Sequence, residues 1–160
     1  MWGKIMVVAI IGAKRITRTA TLAVRMWQAL TKLVVEDGAD IFMFTDDGAF
    51  DDACWLIVSQ LQMQYPNIRR IYMREEYRGN TKSIKDIVKG YEKVLEFDAS
   101  SDDATSAQMM RNSIMVEMCD VLVTYFDTGY KPTPRIEDEE ERIAKFAKRK
   151  KKRVINLFDV

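Results

Sequence analysis

The feature that most restricts this chain is a repeated change of hydrophobic period: short, continuous apolar runs alternate with longer segments whose apolar residues recur at helical spacing. Ile5 to Ile11 is apolar throughout, the pattern of a strand buried on both faces, and Gly12 ends it. From about Thr17 to Asp37, Leu22, Met26, Leu30, Leu33 and Val34 fall on one side of a helix, with Gly38 as its stop. Ile41 to Phe44 is a second strand. The following helix carries Phe50, Cys54, Ile57, Val58 and Leu61 on one face. It ends before Pro66, because the residue preceding a proline is driven out of helical geometry. Ile68 to Met73 is a third strand, followed by a polar stretch from Arg74 to Ser83 and a short helix-like segment ending near Gly90. Val94 to Phe97 predicts a fourth strand and Ala104 to Met118 a helix, with Met110, Ile114 and Met118 in register. Val121 to Phe126 is a fifth strand. A loop from Asp127 to Ile136, holding Pro132 and Pro134, precedes a charged helix from Glu137 to about Lys151 and a last strand, Val154 to Phe158.

Strand–helix alternation of this kind implies parallel strands joined by right-handed crossovers, with helices covering both sheet faces. The expected fold is therefore α/β: a three-layer αβα sandwich around a doubly wound, mostly parallel, Rossmann-like sheet of about six strands. With 160 residues the chain fits one domain, 1–160. Such sheets bind ligands beyond the carboxyl ends of their strands, where strand order reverses. Gly12, Gly48 and Gly129 each follow a predicted strand, where glycine serves either a tight turn or the close approach of a ligand; the turn is the simpler reading.

Composition removes several kinds of chemistry. There is no histidine, which excludes His-based triads and His-ligated zinc. Cys54 and Cys119 belong to no paired motif and lie among apolar neighbours, so they read as buried thiols rather than as a disulfide, metal ligands or a nucleophile. No metal and no cofactor is expected. A net charge of +1 supplies no global field for nucleic acid or a membrane, and no apolar run approaches a membrane span. The N-terminus lacks a signal-peptide layout, so a cytoplasmic address is expected. The basic run Lys148 to Arg153, with Lys145, ends a helix that opens on the acids Glu137 to Glu141. That polarity complements the backbone dipole, and it is the better reading over a nucleic-acid patch because no aromatics interleave.

Four stretches, taken in order, resemble the YpsA-like family of the SLOG superfamily, Rossmann-like proteins that include the Lonely-Guy-type phosphoribohydrolases. They are Val8 to Ile16; Asp40 to Phe44 with Phe50 to Cys54; Arg111 to Met115 with Cys119 to Val123; and Ile143 to Lys148 leading into Val154 to Leu157. The resemblance implies that the first and fifth strands are neighbours. It gathers Gly12 to Arg15, Arg111, Asn112 and the loop from Asp127 to about Glu141 around one crevice, with a nucleotide or nucleotide-derived sugar as ligand. Lys14, Arg15, Arg18 and Arg111 are suited to a phosphate, and Asn112 to a ribose or base edge. Each has a plainer reading: solvated charges for Lys14, Arg15 and Arg18, an ion pair with Asp102 or Asp103 for Arg111, dipole pairing for Asp51 and Asp52, and a turn cap for Asp127.

The departures carry as much information. Ala13 stands where a family histidine usually follows the glycine. Glu139, Glu140 and Glu141 stand where a Ser-Gly-Thr turn usually opens the last helix with bare N–H groups for an anion. The glycine usual before the last strand is replaced within Lys150 to Lys152. The place of the hydrolases' acid–base glutamate falls near Arg142 or Ile143, with Glu141 as the nearest stand-in. Improved helix propensity where a binding site is expected is better explained by stability than by function. The first reading is accordingly a non-catalytic module for a nucleotide-derived small molecule, using Gly12, Lys14, Arg15, Arg111, Asn112 and Asp127. The second is a scaffold, diverged or redesigned, with no small ligand. The third is a nucleoside-monophosphate N-glycosidic hydrolase needing Asp46, Asp127 or Glu141 as its carboxylate. A homo-oligomer is left open.

Overall fold

The two periods separate into strands and helices in a computed structural model that describes residues 5–17, 19–45, 48–76, 90–98, 103–128 and 139–158. In chain order these are β1 (Met6–Ile10), α1 (Ala20–Val35), β2 (Ala39–Phe44), α2 (Ala49–Gln64) and β3 (Arg69–Glu76). Then follow β4 (Lys93–Asp98), α3 (Ala104–Met118), β5 (Val121–Thr124), α4 (Glu139–Arg149) and β6 (Arg153–Asn156). The helix-like segment expected before Gly90, and with it Arg18, Asp46, Asp102 and Gly129, lies outside the described residues.

The six strands form one parallel sheet in the order β4-β3-β2-β1-β5-β6. The chain builds outward from β1 to β4, then crosses back to lay β5 on the other side of β1. The β1/β5 boundary is therefore the switch point, and the neighbours implied by the resemblance are the neighbours observed. Period-two alternation sorts the strand residues. Val8, Ile10, Phe42, Phe44, Val121 and Val123 join one core with Leu22, Met26, Leu30 and Leu33 of α1 and Phe50, Cys54, Val58 and Leu61 of α2. Ala9, Ile11, Met43, Met73 and Leu122 join a second with Met115 and Val116 of α3 and Ile143, Ala144 and Ala147 of α4. This is the expected Rossmann-like αβα sandwich. Each fully buried large side chain contributes about 1.5–3 kcal/mol.

Caps explain the helix limits. Thr19 accepts from the Leu22 N–H at 3.0 Å to open α1, and Gly38 (φ 70°) follows its end. Asp103 opens α3, accepting from the Ser106 hydroxyl (2.8 Å), the Ser106 N–H (3.1 Å) and the Thr105 N–H (3.3 Å), which together lower its pKa. The last turn of α4 closes with Lys152 N–H to Ala147 O (2.9 Å) and Lys151 N–H to Lys148 O (3.0 Å). Lys151 holds the left-handed position there (φ 61°), where glycine is the usual occupant. The basic end is partly neutralised by exposed pairs, Lys150 with Glu117 (3.2 Å) and Arg153 with Asp37 (2.8 Å).

Several sequence expectations change: β3 runs on to Glu76, into the stretch expected to be polar, and β6 covers Arg153–Asn156 rather than Val154 to Phe158. β5 ends at Thr124 rather than Phe126, because the Asn156 amide takes over the ladder, accepting from Phe126 N–H (3.2 Å) and donating to Phe126 O (3.1 Å). On α3 the buried face is Ala107, Arg111, Asn112, Met115 and Val116, while Met110 and Met118 are exposed. Methionines on every side of that helix blur its apolar stripe, and the partner of the buried arginine, which decides the face, lies on a distant strand.

Both cysteines are buried free thiols. Burial, then the neighbouring Asp51 charge, raises the Cys54 pKa well above its ordinary value, and burial raises Cys119 to about 11. Among the described residues no helix is long and apolar enough to cross a membrane, and no group of three metal-ligating side chains gathers.

Candidate functional site

The loop leaving β1 is clamped onto the start of α2. Ala49 N–H donates to Lys14 O at 2.8 Å and Phe50 N–H to Ala13 O at 3.4 Å. These bonds occupy the N–H groups of a helix start that could otherwise hold an anion. Asp51 is buried in the first turn, and its Oδ2 accepts from the Thr45 N–H (2.9 Å) and Thr45 hydroxyl (3.3 Å), tying α2 to the end of β2.

Two glycines make the clamp possible. Gly48 takes φ 124°, and a Cβ there would lie 2.5 Å from Lys14 Cα. At Gly12 the space a Cβ would fill holds the Phe50 ring, 2.1 Å from the ideal Cβ position. Gly12 thus serves neither left-handed backbone nor ligand approach in the first instance; it admits a core phenylalanine beside the loop.

On the opposite face, Arg111 is buried with its Nη1 3.1 Å from Glu75 Oε2. Its Nη2 and Nε donate to Asn112 Oδ1 at 3.0 and 3.2 Å. The carboxylate is Glu75, from the end of β3, rather than Asp103, which caps α3. Removing one member of such a buried pair is strongly destabilising. Glu75 was not singled out from sequence, although the alternation Ile71, Met73, Glu75 places it on the α3 side.

These parts surround a crevice of about 200 Å³ at the carboxyl edge of the sheet, on the side of α3 and α4. Ile11, Gly12 and Lys14 line it from the loop after β1, and Thr45 from the loop after β2. Helix α3 contributes Thr105, Gln108, Met109, Arg111 and Asn112, and the first turn of α4 contributes Glu139 and Glu140. Of the six residues expected at the site, Gly12, Lys14, Arg111 and Asn112 are brought together here. Arg15 and Asp127 are exposed and are not part of this lining. Glu141 is half-buried in the first turn of α4, also off the lining, and Ile143 is buried in the core.

No protein-family model matches the sequence, and no curated protein matches it significantly. Solved structures do resemble the fold. DNA processing protein A (DprA) from Streptococcus pneumoniae superposes with a TM-score of 0.59 at 12% identity, over 94% of this chain and 49% of that one. Two structures of the molybdenum cofactor carrier protein from Chlamydomonas reinhardtii give TM-scores of 0.55 and 0.52 at 13% identity. They cover 94% and 97% of this chain and 75% and 77% of theirs. The chain thus spans about half the length of the DprA structure and three quarters of the carrier protein. At this identity the likeness is one of fold: a six-stranded, parallel, Rossmann-like α/β domain.

Proposed function

We propose that the protein is a non-catalytic binding module for a nucleotide-derived small molecule, held in the β1/β5 crevice. The observation that carries this is the convergence of Gly12, Lys14, Arg111 and Asn112 on one crevice at the switch point of a parallel sheet. Four of the positions that match the YpsA-like pattern thereby line a single concave site. That one structural neighbour is described as a cofactor carrier supports a binding role on this fold. Hydrolysis of an N-glycosidic bond finds less support: by the resemblance the place of the acid–base glutamate falls near Arg142 or Ile143, and the nearest stand-in, Glu141, is off the crevice lining. The competing reading, a scaffold without a small ligand, is favoured by one observation: glutamates at the start of α4, where an anion-binding turn is expected.

A thermal-shift panel of nucleosides, nucleotides, NAD, ADP-ribose and ribose 5-phosphate tests the proposal, with Gln108→Trp as a variant that fills the crevice. A ligand at a hundred times its dissociation constant adds about 2.7 kcal/mol of stability. The expected result is a shift in the parent that Gln108→Trp abolishes. A cooperative melt unmoved by every compound selects the scaffold instead.

A further inference from the structure

We infer that the protein forms a two-fold dimer in which the outer face of α1 and α2 packs, antiparallel, against the same face of a second copy. This surface lies on the opposite side of the sheet from the crevice, and the dimer does not depend on what the crevice binds.

The face is poor in charge. Charged residues make up 31% of the chain, yet residues 20–31 of α1 and 53–64 of α2 include a single one, Arg25. Arg25 is half-buried, and its Nη1 donates to Phe158 O at 3.2 Å. Other charged residues border the face at its ends. Lys14, Arg15 and Arg18 precede α1, Asp51 and Asp52 lie in the first turn of α2, and Arg69 and Arg70 follow α2. At the end of α1, Lys32 pairs with Glu36 (4.0 Å) and Asp37 with Arg153 (2.8 Å). Between these ends the face carries Val24, Trp27 and Val35 from α1 and Leu56 and Met63 from α2, all exposed. An apolar groove of about 250 Å³ runs between the helices, and its lining includes Leu22, Ala23, Met26, Ala53, Leu56 and Ile57. Helix α4 is the opposite case, with Arg142, Lys145, Lys148 and Arg149 exposed. Contiguous exposed apolar surface with charge confined to its rim is the composition of an interface core.

The occupant that fits is a second copy. A face without charge has nothing with which to select an acidic or basic partner, and it matches another face of its own kind. Trp27 and Leu56 are each the eighth residue of a 16-residue helix. Stacking α1 on α1 and α2 on α2 in the antiparallel sense about these midpoints puts both side chains beside the two-fold axis, each against its counterpart. A central aromatic anchor is the pattern of a binding hot spot. Two such helices, about 24 Å long and about 10 Å wide, present roughly 500 Å² per copy. The pair then buries about 1,000 Å², enough for a specific interface at the weak, reversible end of the range.

Sedimentation velocity from low to high micromolar concentration tests this on the parent, Trp27→Glu, Leu56→Glu, Leu56→Lys and Met110→Glu. Met110 is the control, since it lies on α3 across the sheet and is 41% exposed, as Trp27 is. The parent and Met110→Glu are expected to pass from the 18.6 kDa monomer to a dimer as concentration rises. Trp27→Glu and Leu56→Glu should weaken the dimer about tenfold or more, because like charges meet beside the axis. An equimolar mixture of Leu56→Glu and Leu56→Lys should recover it, because residue 56 faces residue 56, and that recovery also shows that both variants fold. A parent that stays monomeric throughout overturns the dimer. A dimer that withstands both Trp27→Glu and Leu56→Glu overturns its placement on this face. A mixture that associates no better than either variant alone overturns the two-fold arrangement.

Discussion

The two faces of the sheet are built differently, although the same six strands supply both. Toward α1 and α2 the core is made of large side chains, with Phe42, Phe44, Phe50, Leu30 and Leu33 almost wholly buried, and it runs up to the carboxyl edge where Phe50 lies against Gly12. Toward α3 and α4 the sheet meets Ala107, Ala144 and Ala147, with Met43, Met73 and Met115 filling between them. That face ends in the Arg111, Glu75 and Asn112 cluster and opens into the crevice. The difference teaches that an apolar face can close to its rim, whereas a face that buries a charge pair near the rim gives up packing there and becomes accessible. A buried ion pair is weak ground for stability, since its desolvation cost rivals its attraction. Its position beside the crevice makes it part of that crevice's wall.

The largest expected effect comes from breaking that polar cluster. Glu75→Leu should cost about 3–5 kcal/mol in urea unfolding, because Arg111 is left buried and charged, and Glu75→Leu/Arg111→Met should recover most of the loss or exceed the parent. A double variant as unstable as the single one would mean that the pair holds the fold as well as the site. The next effect compares the thiols, one in each core. The Cys119 pKa is raised from 9.0 to about 11 in the folded protein, so the folded state resists ionisation that the unfolded chain accepts. The associated stability is present below the unfolded value and is lost as pH rises from about 9 to about 11, a fall of roughly 2–3 kcal/mol. Cys119→Ala should flatten that alkaline limb of a stability–pH curve, leaving the limb from Cys54, which is raised in the same direction. The smallest effect lies at the rim between the faces. Gly12→Ala should cost about 1–3 kcal/mol through overpacking against Phe50, and Phe50→Leu in the same chain should relieve part of it. A Gly12→Ala protein with an unchanged melting temperature would show that the ring moves aside freely.

Much of this architecture is legible in the sequence because it depends on local pattern. Continuous apolar runs such as Val8 to Ile11 mark strands buried on both faces, Leu22, Met26, Leu30 and Leu33 mark a helix face, and Gly38 and Pro66 mark stops; all of these act over a few residues. The gathering of Gly12, Lys14, Arg111 and Asn112 is also legible, but through the ordered resemblance rather than through spacing. What escaped is long-range. The Phe50 ring against Gly12 and the Glu75 carboxylate against Arg111 join residues 38 and 36 positions apart (50 less 12; 111 less 75), and no local period encodes either meeting.

The sequence by itself determined the elements and their alternation, and through chirality and the burial of both sheet faces it restricted the sheet to parallel, right-handed crossovers. Only the tertiary structure decided that Met110 turns outward and Arg111 inward, that the start of α2 is occupied by backbone carbonyls, and that Glu75 is the carboxylate facing Arg111. The physical reason is that periodicity reports which side of an element avoids water, whereas the sign and pairing of a buried charge depend on which distant element arrives beside it.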